Sequence, residues 1–135
     1  MFKDQNFFGI LNKFKDKQMI GDFDNNWEEE KELVQRFENS LKSNLDLYFE
    51  EEELEDIIRF YFEQQKFKKA YKASKIALIK FPFSIEIKLL MAQSLIFNDE
   101  LEEGLDLLEN INNLSPNNEE IILALSNALL MSGNA

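Results

Sequence analysis

The sequence repeats itself, and the copies that end in Pro82 and Pro116 fix the spacing. We call this distance the repeat spacing; it is 34 positions. Both copies carry large apolar residues in the same register, and each has a small residue, Ala70 or Gly104, twelve positions before its proline. One further step of the same size reaches Leu125, which is in phase with the apolar positions of the earlier copies. Such a period predicts a solenoid, in which each unit buries its apolar face only by stacking on its neighbours.

Within each copy, the large, small and aromatic positions follow the order of a helix–turn–helix repeat. In the first copy they are Leu54, Ile57, Tyr61, Ala70 and Pro82, and in the second they are Met91, Ala92, Leu95, Gly104, Leu108 and Pro116. The sequence resembles the tetratricopeptide repeat family, of the bacterial kind, whose unit has the same length as the repeat spacing. It departs from the family pattern at Ile58, Ser74 and Lys88.

The resemblance covers residues 51–135 and implies an all-α, helix–turn–helix repeat solenoid. We expect an N-terminal helical segment over residues 1–49, two repeats over 50–83 and 84–117, and a half repeat over 118–135. The expected helices of the repeats span 50–64, 67–80, 84–97, 101–113 and 118–132.

Residues 1–49 are expected to add two more helices. Apolar residues recur at three- and four-residue steps near the start of the chain, which is typical of an amphipathic helix that packs on the domain or docks on a partner. These residues are Phe7, Phe8, Ile10, Leu11 and Phe14. Turn-forming residues over 21–26 predict a break, and a second helix is expected from Trp27 to about Ser43.

Composition argues against catalysis and against metal or cofactor binding. The chain has no histidine and no cysteine, so it lacks the commonest general base and the commonest metal ligands. Asp22 and Asp24 resemble the start of a calcium loop, but Trp27 and Leu33 stand where that loop needs Gly and Glu. We therefore expect no enzyme activity, no metal and no cofactor.

The sequence also argues against a membrane protein. No stretch approaches the ~20 apolar residues that span a bilayer, and the N-terminal segment lacks the apolar run of a signal peptide. The net charge of −11 would be repelled by an anionic membrane surface. A cytoplasmic protein is the expectation.

One window of the acidic chain is strongly basic. Between Lys66 and Lys88 there are seven lysines and one glutamate, which gives this window a charge of +6 and the rest of the chain −17. Nucleic-acid binding through the helix 66–80 is one interpretation, but the window lacks arginine and the chain lacks a basic total. A solvated face or a patch for an acidic neighbour is favoured, and no nucleic acid is expected.

The resemblance also implies where a partner would bind, because the concave surface of this family is lined by the leading helix of each repeat. The corresponding residues are Glu55, Arg59, Phe62, Glu63, Leu89, Gln93, Ile96, Phe97, Leu123, Asn127, Leu130 and Met131, together with Glu52, Glu86 and Glu120. The leucines and Ile96 fit a packing role between helices equally well. Members that clamp the carboxylates of chaperones carry Lys, Arg and Asn in this groove, and Glu55 and Glu63 depart from that set.

An acidic rim and an apolar floor suit another protein as the partner. A peptide or an amphipathic helix with apolar anchors and some positive charge would fit. The function expected from the sequence is therefore a non-catalytic protein–protein interaction scaffold.

Two alternatives concern assembly. The Phe-rich N-terminal helix could fill the groove of another copy and make the protein a homo-oligomer. The half repeat has no second helix to cover its apolar residues, so we also expect either further C-terminal repeats or a partner over residues 122–131.

Overall fold

The computed structural model describes the backbone of residues 20–133 and the side chains of residues 26–133. All the regular secondary structure in this part of the chain is helical, so the predicted all-α class is confirmed there. The helices are α1 Ile20–Lys42, α2 Glu51–Glu63, α3 Phe67–Lys80, α4 Ile85–Phe97, α5 Leu101–Leu114 and α6 Glu119–Met131. None of these helices is long and apolar enough to cross a membrane.

The chain divides into two compact units, Met1–Asn44 and Leu45–Ala135. The first unit contains α1, whose residues Val34, Phe37 and Ser40 are buried at three-residue steps along one face. The second unit contains α2 to α6. The bounds of these five helices agree with the predicted bounds to within one residue.

The turn predicted over residues 21–26 is wrong, because α1 begins at Ile20 and continues through them. Glycine, aspartate and asparagine each lower helix propensity by about 1 kcal/mol or less, and no proline is present. Once a helix has nucleated, it is extended one residue at a time at little further cost. The predicted Phe-rich helix over residues 7–14 lies outside the described residues.

The first residues of α2, α4 and α6 recur at the repeat spacing. The residue before each of these helices is its N-cap, and the contacts at the three N-caps are as follows. The Ser84 hydroxyl accepts a hydrogen bond from the Ile87 amide at 3.2 Å. The Asn118 side chain accepts one from the Glu120 amide at 2.9 Å and a longer one from the next amide. At the third such position, the Glu50 amide donates to the Glu53 carboxylate at 3.0 Å. These contacts satisfy amides that a helix N-terminus leaves without intrahelical partners.

The residues that end these same helices recur with the same spacing. Gln65, Asp99 and Gly133 have φ angles of 61°, 65° and 82°, in the left-handed region. After the first two, the chain turns back into α3 and α5, and the Lys66 and Glu100 amides each donate at 2.9 Å to a carbonyl of the preceding helix. The turn between the paired helices therefore has one geometry in both copies.

Consecutive helices of the second unit pack against each other, and α4 also contacts α2 and α6. A close approach occurs between α4 and α5 at Gly104. A Cβ atom there would lie 2.5 Å from Cγ1 of Ile96 and 3.0 Å from the Ala92 carbonyl oxygen. The small residue found twelve positions before Pro116 is thus required by helix packing.

Candidate functional site

A cleft of about 290 Å³ crosses the three helices α2, α4 and α6. Its lining comes from Arg59 on α2, from Glu86, Leu89, Leu90 and Gln93 on α4, and from Glu120, Leu123, Ala124 and Asn127 on α6. The α6 residues are the α4 residues shifted by one repeat spacing. The two helices therefore present the same positions of the repeat to one cleft.

Arg59 supplies the positive charge in the lining of the cleft, and three carboxylates surround it. Its Nη2 donates to Oε2 of Glu86 at 2.8 Å. Its guanidinium nitrogens lie 3.5 Å from an oxygen of Asp56 and 3.7 Å from an oxygen of Glu55. The local charge around Arg59 is therefore negative, because one cation faces three anions.

Burial and the neighbouring charges change the titration of Glu55. Burial raises the pKa of Glu55, the nearby charge of Arg59 opposes that rise, and the like charge of Glu86 adds to it. Burial also raises the pKa of Asp56, again with Arg59 opposing the rise. The folded protein thus disfavours the charged form of both carboxylates relative to water.

One repeat further along, the arrangement changes. Gln93 occupies the repeat position of Arg59, and Glu120 occupies that of Glu86. Gln93 is uncharged, and within residues 26–133 the carboxylate of Glu120 makes no ion pair. The cleft therefore contains one carboxylate that is paired with a cation, Glu86, and one that is not, Glu120.

The floor of the cleft is apolar. Leu89 and Leu90 are buried, Ala124 is half-buried and Leu123 is exposed. The amide side chains of Gln93 and Asn127 also line the cleft. A ligand there would meet one unpaired carboxylate, two amides and a short aliphatic surface.

The other residues predicted to line the groove are not among those that line this cleft. Phe62, Phe67 and Phe97 form an aromatic cluster with ring centroids 5.0 to 5.6 Å apart, and Phe97 is half exposed. Ile96 is buried in the core beneath Gly104. Four further members of the set do not line the cleft: Glu55, Glu63, Leu130 and Met131.

Two cleft residues were not predicted, Leu90 and Ala124. They occupy the same position of successive repeats, next to the predicted Leu89 and Leu123. The repeat spacing would have linked them, because any α4 residue that lines the cleft predicts its α6 counterpart. The groove positions implied by the family resemblance do not include Leu90 and Ala124.

The lysines of the basic window that belong to α3 are exposed. Lys68, Lys72 and Lys75 lie along one side of α3, opposite the buried Ala70 and Ala77. The Lys75 ammonium lies 5.4 Å from the ring centre of Tyr71. These lysines do not line the cleft.

Comparison with known proteins does not assign the chain to a family. No protein-family model matches the chain, and no curated protein matches it.

Proposed function

We propose that residues 50–133 form a solenoid of the tetratricopeptide type and act as a non-catalytic scaffold that binds a segment of another protein in the cleft. The recurrence of helix bounds, caps and left-handed turns at the repeat spacing supports the repeat. The matching cleft residues of α4 and α6 support the site. Equivalent residues from stacked units make a continuous surface along which an extended or helical segment can lie.

The chemistry of the bound segment follows from the Arg59–Glu86 pair. Arg59 of the first repeat supplies a guanidinium to Glu86 of the second, whereas the corresponding Glu120 shares the cleft with the uncharged Gln93. We infer that the ligand supplies a lysine or arginine to Glu120. Apolar residues beside that cation would rest on Leu89 and Leu123.

Binding without catalysis is favoured by what the cleft contains. With no histidine and no cysteine in the chain, acid–base chemistry would fall to carboxylates. Catalytic carboxylate pairs need environments that hold their pKa values apart. Glu86 is held by Arg59, and Glu120 is exposed at the surface.

A peptide-binding assay tests this proposal. Fluorescent peptides that alternate leucine and arginine, and matched peptides with glutamate in place of arginine, are titrated with the protein and followed by anisotropy. We expect the arginine peptides to bind and the glutamate peptides to fail. Glu120→Gln should weaken binding, and Gln93→Arg should weaken it more, because the protein then supplies the cation itself.

The matched control is Glu109→Gln, which removes the same charge from the exposed surface of α5, away from the cleft. It should leave binding unchanged. If the glutamate peptides bound as well as the arginine peptides, or if Glu109→Gln weakened binding as much as Glu120→Gln, the proposal would be wrong.

A further inference from the structure

The exposed side of α3 carries three like charges in a row. Lys68, Lys72 and Lys75 are exposed, and their four- and three-residue steps place them on one face of the helix. The next residue of the same face is Ile79, one turn further on. We call these four residues the α3 stripe. Its length from Lys68 to Ile79 is about 16 Å, from the rise of a helix per residue.

The α3 stripe ends at two large apolar side chains that lie in solvent. Ile79 is 80% exposed, and Phe83, four residues later in the turn before α4, is 89% exposed. They are the most exposed of the large apolar residues in the described part of the chain. Contact with another molecule that buried both side chains would therefore be favourable.

The second repeat reverses the charge of this stripe. One repeat spacing after the three lysines stand Glu102, Asp106 and Glu109, which are exposed on α5. The buried positions of the two helices stay small or apolar: Ala70, Ser74 and Ala77 on α3, and Gly104, Leu108 and Ile111 on α5. The fold thus accepts either sign of charge on this side, so helix packing does not require the lysines of α3.

The three lysines of the α3 stripe are not used to pair with carboxylates of the fold. Among residues 26–133 none of the three makes an ion pair, with the acids of α5 or with any other. Lys80, which pairs with Asp46 at 2.8 Å, lies outside the stripe. The α3 stripe therefore offers three positive charges and an apolar end to another molecule.

We propose that the α3 stripe binds an acidic amphipathic helix of another protein. Three carboxylates of that helix, at four- and three-residue steps, meet the three lysines. A large apolar residue one turn beyond them rests on Ile79 and Phe83. Charge complementarity at helical spacing, beside an exposed apolar end, gives this partner its chemistry. The α3 stripe does not line the cleft, so this proposal does not depend on the proposed function.

The short extent of the positive charge favours a protein helix over a polyanion. Nucleic acids and anionic membranes carry negative charge far beyond the length of the stripe, and the next repeat has carboxylates at the same positions. Those carboxylates would repel a polyanion. A second copy of the chain is disfavoured by the net charge of −11 on each copy. A single acidic helix meets the lysines alone.

Fluorescence anisotropy with a designed peptide and the whole chain tests the site. The probe is a helical peptide with glutamate at positions i, i+4 and i+7 and leucine at i+11. The matched peptide has glutamine in place of each glutamate. We expect the glutamate peptide to bind with an affinity that falls as salt is added, and the glutamine peptide to bind at least about tenfold more weakly.

Two variants locate the peptide on the α3 stripe. Lys72→Glu gives this position the sign of charge found on α5 and should weaken binding about tenfold. Phe83→Ser removes part of the apolar end and should weaken binding by a similar factor. Lys31→Glu serves as the control, because it makes the same change at an exposed position of α1 outside the stripe; it should leave the affinity unchanged. Circular dichroism checks that each variant is folded.

Separate variants distinguish this site from the cleft. Glu120→Gln should leave binding of the acidic helix unchanged, and Lys72→Glu should leave binding of the arginine peptides unchanged. The alternating glutamate peptides of the cleft assay place a carboxylate at every second residue, which does not match the steps of a helix face. Either proposal can therefore fail while the other stands.

A glutamate peptide that did not bind, or that bound both Lys72→Glu and Phe83→Ser as tightly as wild type, would overturn the proposal. So would single-stranded DNA or phosphatidylserine vesicles that bound the chain more tightly than the peptide and lost that binding in Lys72→Glu. A dimer in analytical ultracentrifugation that was lost in Lys72→Glu would assign the stripe to a second copy instead.

Discussion

The Arg59 guanidinium on α2 donates a hydrogen bond to the Glu86 carboxylate on α4 at 2.8 Å. One repeat later, the same two positions are occupied by Gln93 and Glu120. The contact between successive repeats is thus ionic in one case and lacks its cation in the other. Both pairs of residues line the cleft.

The strength of the Arg59–Glu86 contact is measurable by a double-mutant cycle. Both side chains are partly exposed, at 41% and 33%, so we expect a coupling free energy of about 0.5–1 kcal/mol from urea unfolding of Arg59→Ala, Glu86→Gln and the double variant. The coupling should decrease as salt is added. A coupling of zero at low salt would show that the contact does not stabilise the fold.

Gln93→Arg should create the missing ion pair with Glu120. We expect the free energy of unfolding to rise by up to about 1 kcal/mol, as for other ion pairs near the surface. In a Glu120→Gln background the same substitution should give no gain. A gain of equal size in both backgrounds would mean that the arginine acts through something other than Glu120.

Glu55→Gln should make the protein more stable at neutral pH. The folded state raises the pKa of Glu55 above its ordinary value of 4.5. The folded protein therefore binds the proton of this carboxyl group more tightly than the unfolded protein does. The stability contributed by this group is present below 4.5 and is lost as the pH rises through the folded pKa. Glutamine removes that loss.

Thermal unfolding from acid to neutral pH measures this effect. Wild type and Glu55→Gln should unfold at similar temperatures at acid pH, and the variant at a higher temperature at neutral pH. Glu109→Gln on the exposed side of α5 is the control for the loss of a negative charge. A variant that was less stable than wild type at neutral pH would contradict the prediction.

Gly104→Ala should destabilise the fold although alanine is the better helix former. Alanine would add about 1 kcal/mol of helix propensity, but its Cβ would meet the side chain of Ile96 and the backbone oxygen of Ala92. The backbone oxygen cannot move without shifting α4, so we expect a net loss of about 1–3 kcal/mol in urea unfolding. Asn110→Ala, at an exposed position of α5, should instead be neutral or slightly stabilising.

Asn118→Ala should weaken the start of α6. Its side chain accepts hydrogen bonds from two amides of the first turn, and removing such a cap typically costs about 1 kcal/mol. Hydrogen exchange of the α6 amides should increase more than that of the α4 amides. Asn117→Ala, just before the cap, should change neither the stability nor the hydrogen exchange of α6. An effect of equal size at Asn117 would argue that Asn118 does not act as a cap.

The helices of the second unit could be predicted closely because the repeat register gave three copies of the leading helix and two copies of the second helix. Where there was no repeat, at residues 21–26, local turn propensity suggested a break that α1 does not have. A single glycine among residues of modest helix propensity is weak evidence for a turn. Neighbouring helical residues decide the outcome there.

The cleft could be predicted less completely. Helix periodicity places Leu89 and Gln93 on one side of α4, but it does not reveal that Leu90 also reaches the cleft or that Ile96 is buried under Gly104. Those facts depend on how closely two helices approach. The Arg59–Glu86 hydrogen bond likewise depends on interhelical distance, which a sequence pattern does not contain.

The caps at Ser84 and Asn118 lie at the boundaries of one whole unit, residues 84–117. A duplication of that unit inserted before Asn118 would start at a serine cap and return to the asparagine cap without disturbing either. A duplication whose length is not a multiple of the repeat spacing would place the inserted residues out of register with the repeat. Insertions and deletions tolerated in this part of the gene should therefore come in whole units, so that related chains differ here by complete repeats.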